Sequence, residues 1–148
     1  MTLSIPIFEE VFLETLRKIN RLEAKMLRNS EFSELSIHDF LIIHSIGLYE
    51  FRTMSEIANK LDITPGALTP AVERLVKKGY LIRNHGEADR RLILIRLSAT
   101  GELAFQEHAR IRQEITQLLL ESLSIEEGTI LLKALENFKQ RLERKSLT

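Results

Sequence analysis

Residues 64–79 form a short helical segment whose two ends are both marked by residue types that cap helices. Thr64 is a common N-cap residue, Pro65 suits the first helical position, and Gly79 is the residue type that most often follows a helix. The segment reads TPGALTPAVERLVKKG. The sequence therefore predicts a helix between Thr64 and Gly79, with Pro70 inside it.

Capping boxes mark the starts of three further helices. In each box a Ser or Thr is followed three residues later by an acidic residue, so that each side chain can bond the other's backbone amide. The pairs are Ser36 with Asp39, Thr53 with Glu56, and Ser124 with Glu127. We expect helices from Ser36 to Gly47, from Ser55 to Leu61, and from Ser124 onward.

Two alternating segments follow Gly79 and predict a β-hairpin. Tyr80–His85 and Arg91–Leu97 carry apolar and β-branched residues, and the polar segment Gly86–Arg90 lies between them. Two short helices followed by such a hairpin are the order of elements in a winged helix-turn-helix, in which the second helix contacts DNA.

Long helices are predicted on both sides of this region. Apolar residues recur every three or four positions from Ile5 to Met26, and again after Ser98 and after Ser124. The predicted fold class is mainly α with a small β-hairpin, in a single domain. That domain comprises residues 1–148, with a winged helix-turn-helix at 36–97 and long terminal helices at 5–29 and 98–144. Because so small a core cannot cover these terminal helices, we predict that they dimerise; a monomeric helical bundle is the alternative.

Charge and composition limit the classes of function. The formal net charge is +0, but residues 70–96 contain seven cations and three anions, an excess in the region predicted to meet phosphate. The chain has no cysteine, which excludes disulfides and thiol-based redox sensing. Met1–Ile7 lacks the pattern of a signal peptide, and no stretch approaches the roughly 18 apolar residues of a membrane span. We expect a soluble, cytoplasmic protein.

The N-terminal turn of the helix at 64–79 is the predicted DNA-reading surface, because residues at this end of a recognition helix reach the major groove first. Thr69 can donate to a phosphate or a base, and Ala67 and Pro70 can pack on a thymine methyl group. Arg74 lies about one turn farther along, within reach of a base or a phosphate. The candidate residues are Thr64, Gly66, Ala67, Thr69, Pro70, Arg74 and Lys77. An ordinary kinked core helix is the alternative.

The turn of the hairpin is the second predicted DNA contact. On a strand, Asp89 and Arg91 would share a face and could pair, while Arg90 would point the other way. An arginine held by a carboxylate is preorganised to enter a narrow, electronegative minor groove. The alternative is a surface ion pair of little energetic value. Asp89, Arg90 and Arg91 complete the candidate DNA-binding residues, and no ligand-binding residue is assigned.

A set of short motifs runs through the predicted winged helix. It comprises Met54–Leu61, Leu68 with Thr69, Leu75, Lys78–Arg83, Asp89–Arg91 and Leu97–Gly101. Together these motifs resemble the MarR family of winged-helix transcription regulators. The resemblance implies a homodimer on a pseudo-palindromic double-stranded DNA operator, usually repressing and often released by a small ligand. The expected function is therefore a transcriptional repressor; the alternative is a dimeric module that binds protein without sequence-specific DNA binding.

Two subgroups of this family show partial similarity. Ser36–Gly47 and the Asp89–Arg91 turn are similar to the repressors of fatty-acid synthesis in low-GC Gram-positive bacteria. That resemblance implies an acyl carrier protein bearing an acyl chain as effector. Gly66–Pro70 is similar to the recognition helix of organic-peroxide sensors, which depend on a cysteine that this chain lacks. Many family members also carry an arginine near the turn of the hairpin where this chain has Ala88.

Metal binding and catalysis have little support in the sequence. Glu107 and His108 could join His38 or His44 as metal ligands, but Arg112 stands where a helical metal site would need a further ligand. We expect His44, on an apolar stretch, to be an interior histidine. The sequence contains no glycine-rich phosphate loop, nucleophile elbow or evident catalytic carboxylate pair. We therefore predict no cofactor, no metal and no enzymatic activity.

Overall fold

The computed structural model describes residues 4–147. The start of the Met1–Ile7 segment and both ends of the predicted domain 1–148 lie outside the described residues. The helices are α1 (Ile5–Arg28), α2 (Ile37–Ile46), α3 (Met54–Leu61), α4 (Pro65–Lys77), α5 (Ala99–Glu121) and α6 (Ile125–Ser146). The strands are β1 (Arg52–Thr53), β2 (Leu81–His85) and β3 (Ile93–Leu97). The predicted fold class, mainly α with a small β-hairpin in a winged helix-turn-helix, is confirmed.

The three predicted capping boxes are present at the starts of α2, α3 and α6. At α2, for example, Ser36 Oγ accepts a hydrogen bond from the Asp39 amide at 3.2 Å, and Asp39 Oδ2 accepts one from the Ser36 amide at 2.9 Å. Such caps stabilise a helix by about 1 kcal/mol each, because they satisfy amides that have no partner inside the helix. The local sequence therefore determines where these helices begin.

The sheet differs from the prediction in the number and length of its strands. Its three antiparallel strands lie in the order β1-β3-β2, and Arg52 of β1 is opposite Ile95 of β3. We did not predict β1 from the sequence, because a strand of two residues is too short to show alternation. The hairpin strands pair from Leu81 opposite Leu97 to His85 opposite Ile93. The second strand thus begins at Ile93, not at Arg91 as predicted, and the connecting turn is correspondingly longer.

The turn between α3 and α4 depends on a residue in the left-handed conformation. Asp62, which ends α3, has φ of 55° and ψ of 44°, and an aspartate tolerates this region better than most side chains. The Ile63 amide then donates to the Ala58 carbonyl at 3.0 Å. This reversal lets α4 pack against α3, so that Ile57 and Leu68 are both buried.

The core is built from most of α2, from one side of α3 and α4, and from residues of the sheet and of α5. The largest fully buried apolar side chains are Phe40, Ile43, Ile46, Ile57, Leu68, Val72, Leu75, Leu81, Ile95 and Ile111. Gly79, with φ of 86°, ends α4 and turns the chain into β2. Gly101 at the start of α5 lies so close to the Tyr80 carbonyl that any added Cβ would collide with it. These two glycines bring the beginning of α5 against the beginning of β2.

The chain divides into two compact units, one up to Ile111 and one from Arg112. In the first unit, α1 exposes several large apolar side chains: Ile5, Ile7, Phe8, Val11, Leu13, Leu16 and Ile19. In the second unit, α6 has no buried residue within its described range. The exposed apolar side chains of the second unit include Leu118, Leu119, Leu120, Ile130, Leu135, Phe138 and Leu142. Within residues 4–147, no helix has both the length and the apolar composition needed to cross a membrane.

Candidate nucleic-acid interface

The N-terminal turn of α4 is exposed to solvent, although the helix packs on the core along its other side. Thr64 caps the helix by accepting a hydrogen bond from the Ala67 amide at 3.2 Å. Leu68, Val72 and Leu75 form the buried stripe of α4. The candidate residues Thr64, Gly66, Ala67, Pro70 and Lys77 are exposed, and Thr69 is half-buried. The structure therefore leaves the predicted reading surface outside the core.

Thr69 is already engaged in a hydrogen bond. Its hydroxyl donates to the Pro65 carbonyl at 2.9 Å, one turn earlier in the helix. A hydroxyl has a single proton to donate, so in this geometry Thr69 offers its oxygen as an acceptor. Base amino groups such as those of adenine N6 and cytosine N4 are donors in the major groove. Thr69 is thus suited to accept from a base edge while it stays bonded to Pro65.

Pro70 does not break α4, which continues to Lys77. A proline inside a helix removes one backbone hydrogen bond and crowds the carbonyl four residues earlier, here that of Gly66. Gly66 has open space where a Cβ atom would stand, so a larger residue at this position would meet no neighbouring atom. The first turn of α4 is therefore connected to the rest of the helix by fewer internal hydrogen bonds than usual, and the packing beyond it must hold the helix in place.

Arg74 forms a bidentate ion pair with Asp39. Its Nη1 donates to Asp39 Oδ2 at 3.1 Å, and its Nη2 donates to Oδ1 at 2.5 Å. The Asp39 side chain is 1% exposed, and that of Arg74 is 44% exposed. Burial would raise the pKa of Asp39, but the hydrogen bonds from Arg74 and from the Ser36 amide outweigh it and lower the pKa below its usual value. The hydrogen bond to Asp39 raises the pKa of Arg74, so both groups are charged near neutrality.

A second connection anchors the chain just after α4. The Tyr80 hydroxyl donates to Glu34 Oε1 at 2.5 Å, and Lys78 Nζ lies 3.7 Å from Glu34 Oε2. Burial, followed by the hydrogen bond to Glu34, raises the pKa of Tyr80 to about 12. The segment from Arg74 to Tyr80 is thus bonded at one end to Asp39, in the first turn of α2, and at the other end to Glu34, just before α2.

The hairpin turn places the charged residues differently from the prediction. Residues 86–92 form a loop that the Gly86 amide closes by donating to the Leu92 carbonyl at 2.8 Å. Asp89, Arg90 and Arg91 are exposed in this loop and do not belong to a strand, so the argument from a shared strand face was wrong. Asp89 Oδ1 accepts from the Arg91 backbone amide at 2.9 Å. Between residues 4 and 147, no ion pair joins Asp89 to the Arg91 guanidinium.

This geometry still presents two arginines at the end of the hairpin. The Asp89 carboxylate fixes the backbone of the turn, and the Arg90 carbonyl lies 2.8 Å from His85 Nδ1. Arg90 and Arg91 are both exposed, so their positive charges lie at the surface of the turn. Asp89 therefore shapes the turn from which the arginines extend.

Comparison with known proteins identifies the family. The model of the MarR family matches residues 35–93. The HTH-type transcriptional regulator YfiV of Bacillus subtilis is 31% identical over 114 residues, which are 72% of this chain and 71% of YfiV. The chain belongs to the MarR family. Members of this family are transcription regulators, so this chain is a transcription regulator and not an enzyme.

Two further proteins similar to this chain are a repressor and a protein whose structure was solved with DNA. The HTH-type transcriptional repressor MdtR of Bacillus subtilis is 26% identical, over 82% of this chain and 78% of MdtR. The crystal structure of Streptococcus pneumoniae FabT in complex with DNA superposes with a TM-score of 0.89 and 28% identity. That superposition covers 95% of this chain and 99% of FabT. The likeness therefore extends over nearly all of the helices and strands described above.

Of the histidines considered as metal ligands, His44 and His108 lie in an interior cluster of the MarR fold, whereas His38 is exposed. His108 is 2% exposed, and its Nε2 lies 2.5 Å from Glu23 Oε1 of α1. The rings of His44 and His108 are 4.6 Å apart, and that of His44 is 4.2 Å from Phe105. Within residues 4–147, no three metal-ligating side chains converge on one point. The cluster joins α1, α2 and α5 through the hydrogen bond between His108 and Glu23 and through ring contacts.

The partners of Arg74, Tyr80 and His108 were not predicted from the sequence. Asp39 was recognised as part of a capping box but not as the partner of Arg74, and Glu34 was not assigned to Tyr80. Glu23 was likewise not assigned to His108. The residues of these pairs are separated by 35, 46 and 85 positions in the chain. No local pattern relates residues so far apart, although an aspartate inside an otherwise apolar stretch, such as Asp39 before Phe40, is a signal that a cation must be near.

Proposed function

We propose that this protein is a homodimeric, sequence-specific DNA-binding repressor. The observation that carries the proposal is the exposure of the N-terminal turn of α4 while Leu68, Val72 and Leu75 are buried on its other side. A helix exposed in this way can enter the major groove, where base edges are distinguishable. The superposition on FabT in complex with DNA supports the same use of the fold.

The proposed interface assigns a chemical role to each candidate residue. Ala67 and Pro70 provide apolar surface for a thymine methyl group, and Thr69 accepts from a base amino group. Thr64 and Gly66 lie where the backbone approaches a phosphate closely, since the amides at a helix N-terminus attract anions. Lys77 neutralises a phosphate farther along the groove. Arg74 of α4 and Asp89 of the hairpin loop are also candidate residues, but both already bond protein groups.

Arg90 and Arg91 form the proposed minor-groove contact. They are exposed at the end of a loop that is closed by backbone hydrogen bonds, so the loop can extend beyond α4 along the duplex. A narrow minor groove has an enhanced negative potential that attracts arginine. This contact would add affinity and a preference for DNA shape, while α4 reads the bases.

The exposed apolar faces of α1, α5 and α6 support the proposal of a homodimer. Exposed apolar surface of this extent is unusual on a soluble monomer and marks an interface. The partner we propose is a second copy, because a two-fold dimer would present two α4 helices to two half-sites about 34 Å apart on one side of the duplex. The operator is accordingly proposed to be pseudo-palindromic.

We further propose that an effector controls this repressor in the cytoplasm. The resemblance of Ser36–Gly47 and of the Asp89–Arg91 turn to repressors of fatty-acid synthesis implies an acyl carrier protein bearing an acyl chain, and a small molecule is the alternative. The probe is an acyl carrier protein loaded with a palmitoyl chain, and the unloaded carrier protein is its control. A change in operator affinity with the loaded carrier alone would support acyl-type control, whereas identical affinities would refute it.

The direct test of DNA binding is the retention of the purified chain on duplex DNA as the salt concentration rises. Binding that neutralises phosphates releases counterions, so the logarithm of affinity should fall linearly with the logarithm of salt. DNA fragments of the source genome that are retained at moderate salt would identify the operator. A dimeric chain that ignores DNA even in dilute buffer would instead support the alternative, a winged-helix module that binds protein.

A further inference from the structure

We infer that Arg74 is a positioning residue of the reading helix, which acts through Asp39 and does not itself read a base. The inference rests on the proposed DNA binding and concerns how α4 is held for it. The Arg74 fork bonds both oxygens of a carboxylate at the first turn of α2. It therefore joins α4 directly to the start of α2.

Asp39 cannot easily release Arg74. The carboxylate is almost fully buried, and its other bond comes from the Ser36 amide. If the Arg74 guanidinium turned toward DNA, the buried Asp39 carboxylate would lose two charge-assisted hydrogen bonds. That loss is strongly unfavourable. The two guanidinium nitrogens that face Asp39 are thus committed to the carboxylate.

The Arg74–Asp39 pair restrains the orientation of α4, which its apolar contacts alone do not fix. Leu68, Val72 and Leu75 drive burial, but hydrophobic contact is non-directional and tolerates small rotations of a helix. A bidentate arginine-carboxylate pair has a narrow geometry that fixes both distance and orientation. It is placed about one turn after Pro70, where the helix has lost one of its own hydrogen bonds.

The local electrostatics favour the same role. In the pair, the charge of Arg74 is balanced by Asp39 at hydrogen-bond distance, so the guanidinium offers little net charge to a phosphate. Lys77, three residues later on α4, is exposed and forms no ion pair within the described part of the chain. Lys77 is therefore a matched comparison: a cation of the same helix that would act on DNA directly.

The experiment compares five variants: Asp39→Asn, Arg74→Gln, Arg74→Lys, the double variant that combines D39N with R74Q, and Lys77→Gln. Two DNA probes are used: a duplex that the wild-type protein selects from a random-sequence pool, and an unrelated duplex of equal length. Affinity for each probe is measured across a series of salt concentrations, and thermal unfolding of each variant is recorded. The double variant remains informative if R74Q alone fails to fold, because it leaves no unpaired buried charge.

The positioning role predicts a loss of specificity without a loss of phosphate contacts. D39N and the double variant should each bind the selected duplex about 10-fold more weakly, with non-additive effects because the two residues act as one unit. The double variant keeps the net charge of the pair, so its affinity for the unrelated duplex and its salt dependence should match the wild type. R74K should recover part of the loss, since lysine keeps the charge but not the fork. K77Q should weaken both duplexes and reduce the salt slope by about 1.

Three results would overturn the inference. The double variant could bind the selected duplex as tightly as the wild type, which would leave the pair no positioning role. The Arg74 variants could instead behave like K77Q on both probes, which would assign Arg74 to a phosphate. Relaxed preference at a single base pair would assign it to a base. If the wild-type protein shows no preference between the probes, the proposed function itself fails, and that result is separate from the three above.

Discussion

The winged helix and the terminal helix α6 differ in how their apolar side chains are covered. In the winged helix, Phe40, Ile57 and Leu75 are fully buried within one chain, whereas α6 buries no residue in its described range. Both regions have strong capping signals and helical periodicity. Equal local helix signals therefore accompany opposite degrees of burial, and α6 is the region where the proposed second copy would cover exposed apolar side chains.

The largest expected effect tests the exposed region. Leu118 of α5 is 60% exposed, so Leu118→Glu should leave the fold of one chain intact but place a charge in the proposed dimer interface. We expect monomers by light scattering and a loss of operator affinity of about 10²–10⁴-fold, because the two half-sites would no longer be bound together. Leu118→Met and Gln106→Glu, the latter on an exposed polar position of α5, should remain dimeric. An unaltered dimer for Leu118→Glu would place the interface elsewhere.

A pair of matched truncations compares the two regions directly. Leu75→Ala should lower the free energy of unfolding by about 2–5 kcal/mol, because it opens a cavity in a filled core. Leu135→Ala, on the exposed face of α6, should instead raise the dissociation constant of the dimer. Denaturant unfolding at several protein concentrations separates these outcomes. If Leu135→Ala lowered stability to the same extent at every concentration, α6 would be covered within a single chain.

A smaller effect is expected at the hairpin turn. Arg91→Ala should weaken operator binding by about 1–3 kcal/mol if this arginine contacts a groove, and should leave the dimer unchanged. Glu87→Gln, in the same exposed loop, serves as the control for a change of charge in the turn. Fluorescence anisotropy with the operator duplex gives the comparison. Wild-type affinity for Arg91→Ala would refute the minor-groove assignment.

The smallest expected effect is a pH dependence of the winged helix. Because the pKa of Asp39 is lowered in the folded state, its contribution to stability is present above the usual aspartate pKa of about 4 and is lost as the pH falls through the folded value. Between about pH 6 and about pH 3, the wild type should lose more free energy of unfolding than Asp39→Asn. Parallel pH profiles for the two proteins would show that the Arg74 pair does not stabilise the ionised carboxylate.

The structure confirms the predictions that depend on residues close together in the sequence. Thr64, Ser36, Thr53 and Ser124 begin their helices as predicted, because a cap and its partner lie within three residues. The hairpin was predicted but its turn was not, because Asp89 bonds a backbone amide and delays the second strand to Ile93. The short strand β1 had no periodicity to reveal it. Errors thus occurred where a long-range contact or an irregular turn outweighed the alternating pattern.

The sequence alone determined the family of this chain, the capped starts of its helices and the residues at the N-terminal turn of α4. These features depend on local backbone chemistry and on the order of the side chains. The tertiary structure decided which partners the buried polar and charged groups have. Asp39 with Arg74 and Glu23 with His108 are brought together only when separate helices pack. The physical reason is that a buried charge must find a counter-charge or a hydrogen bond, while the position of that partner depends on the whole fold.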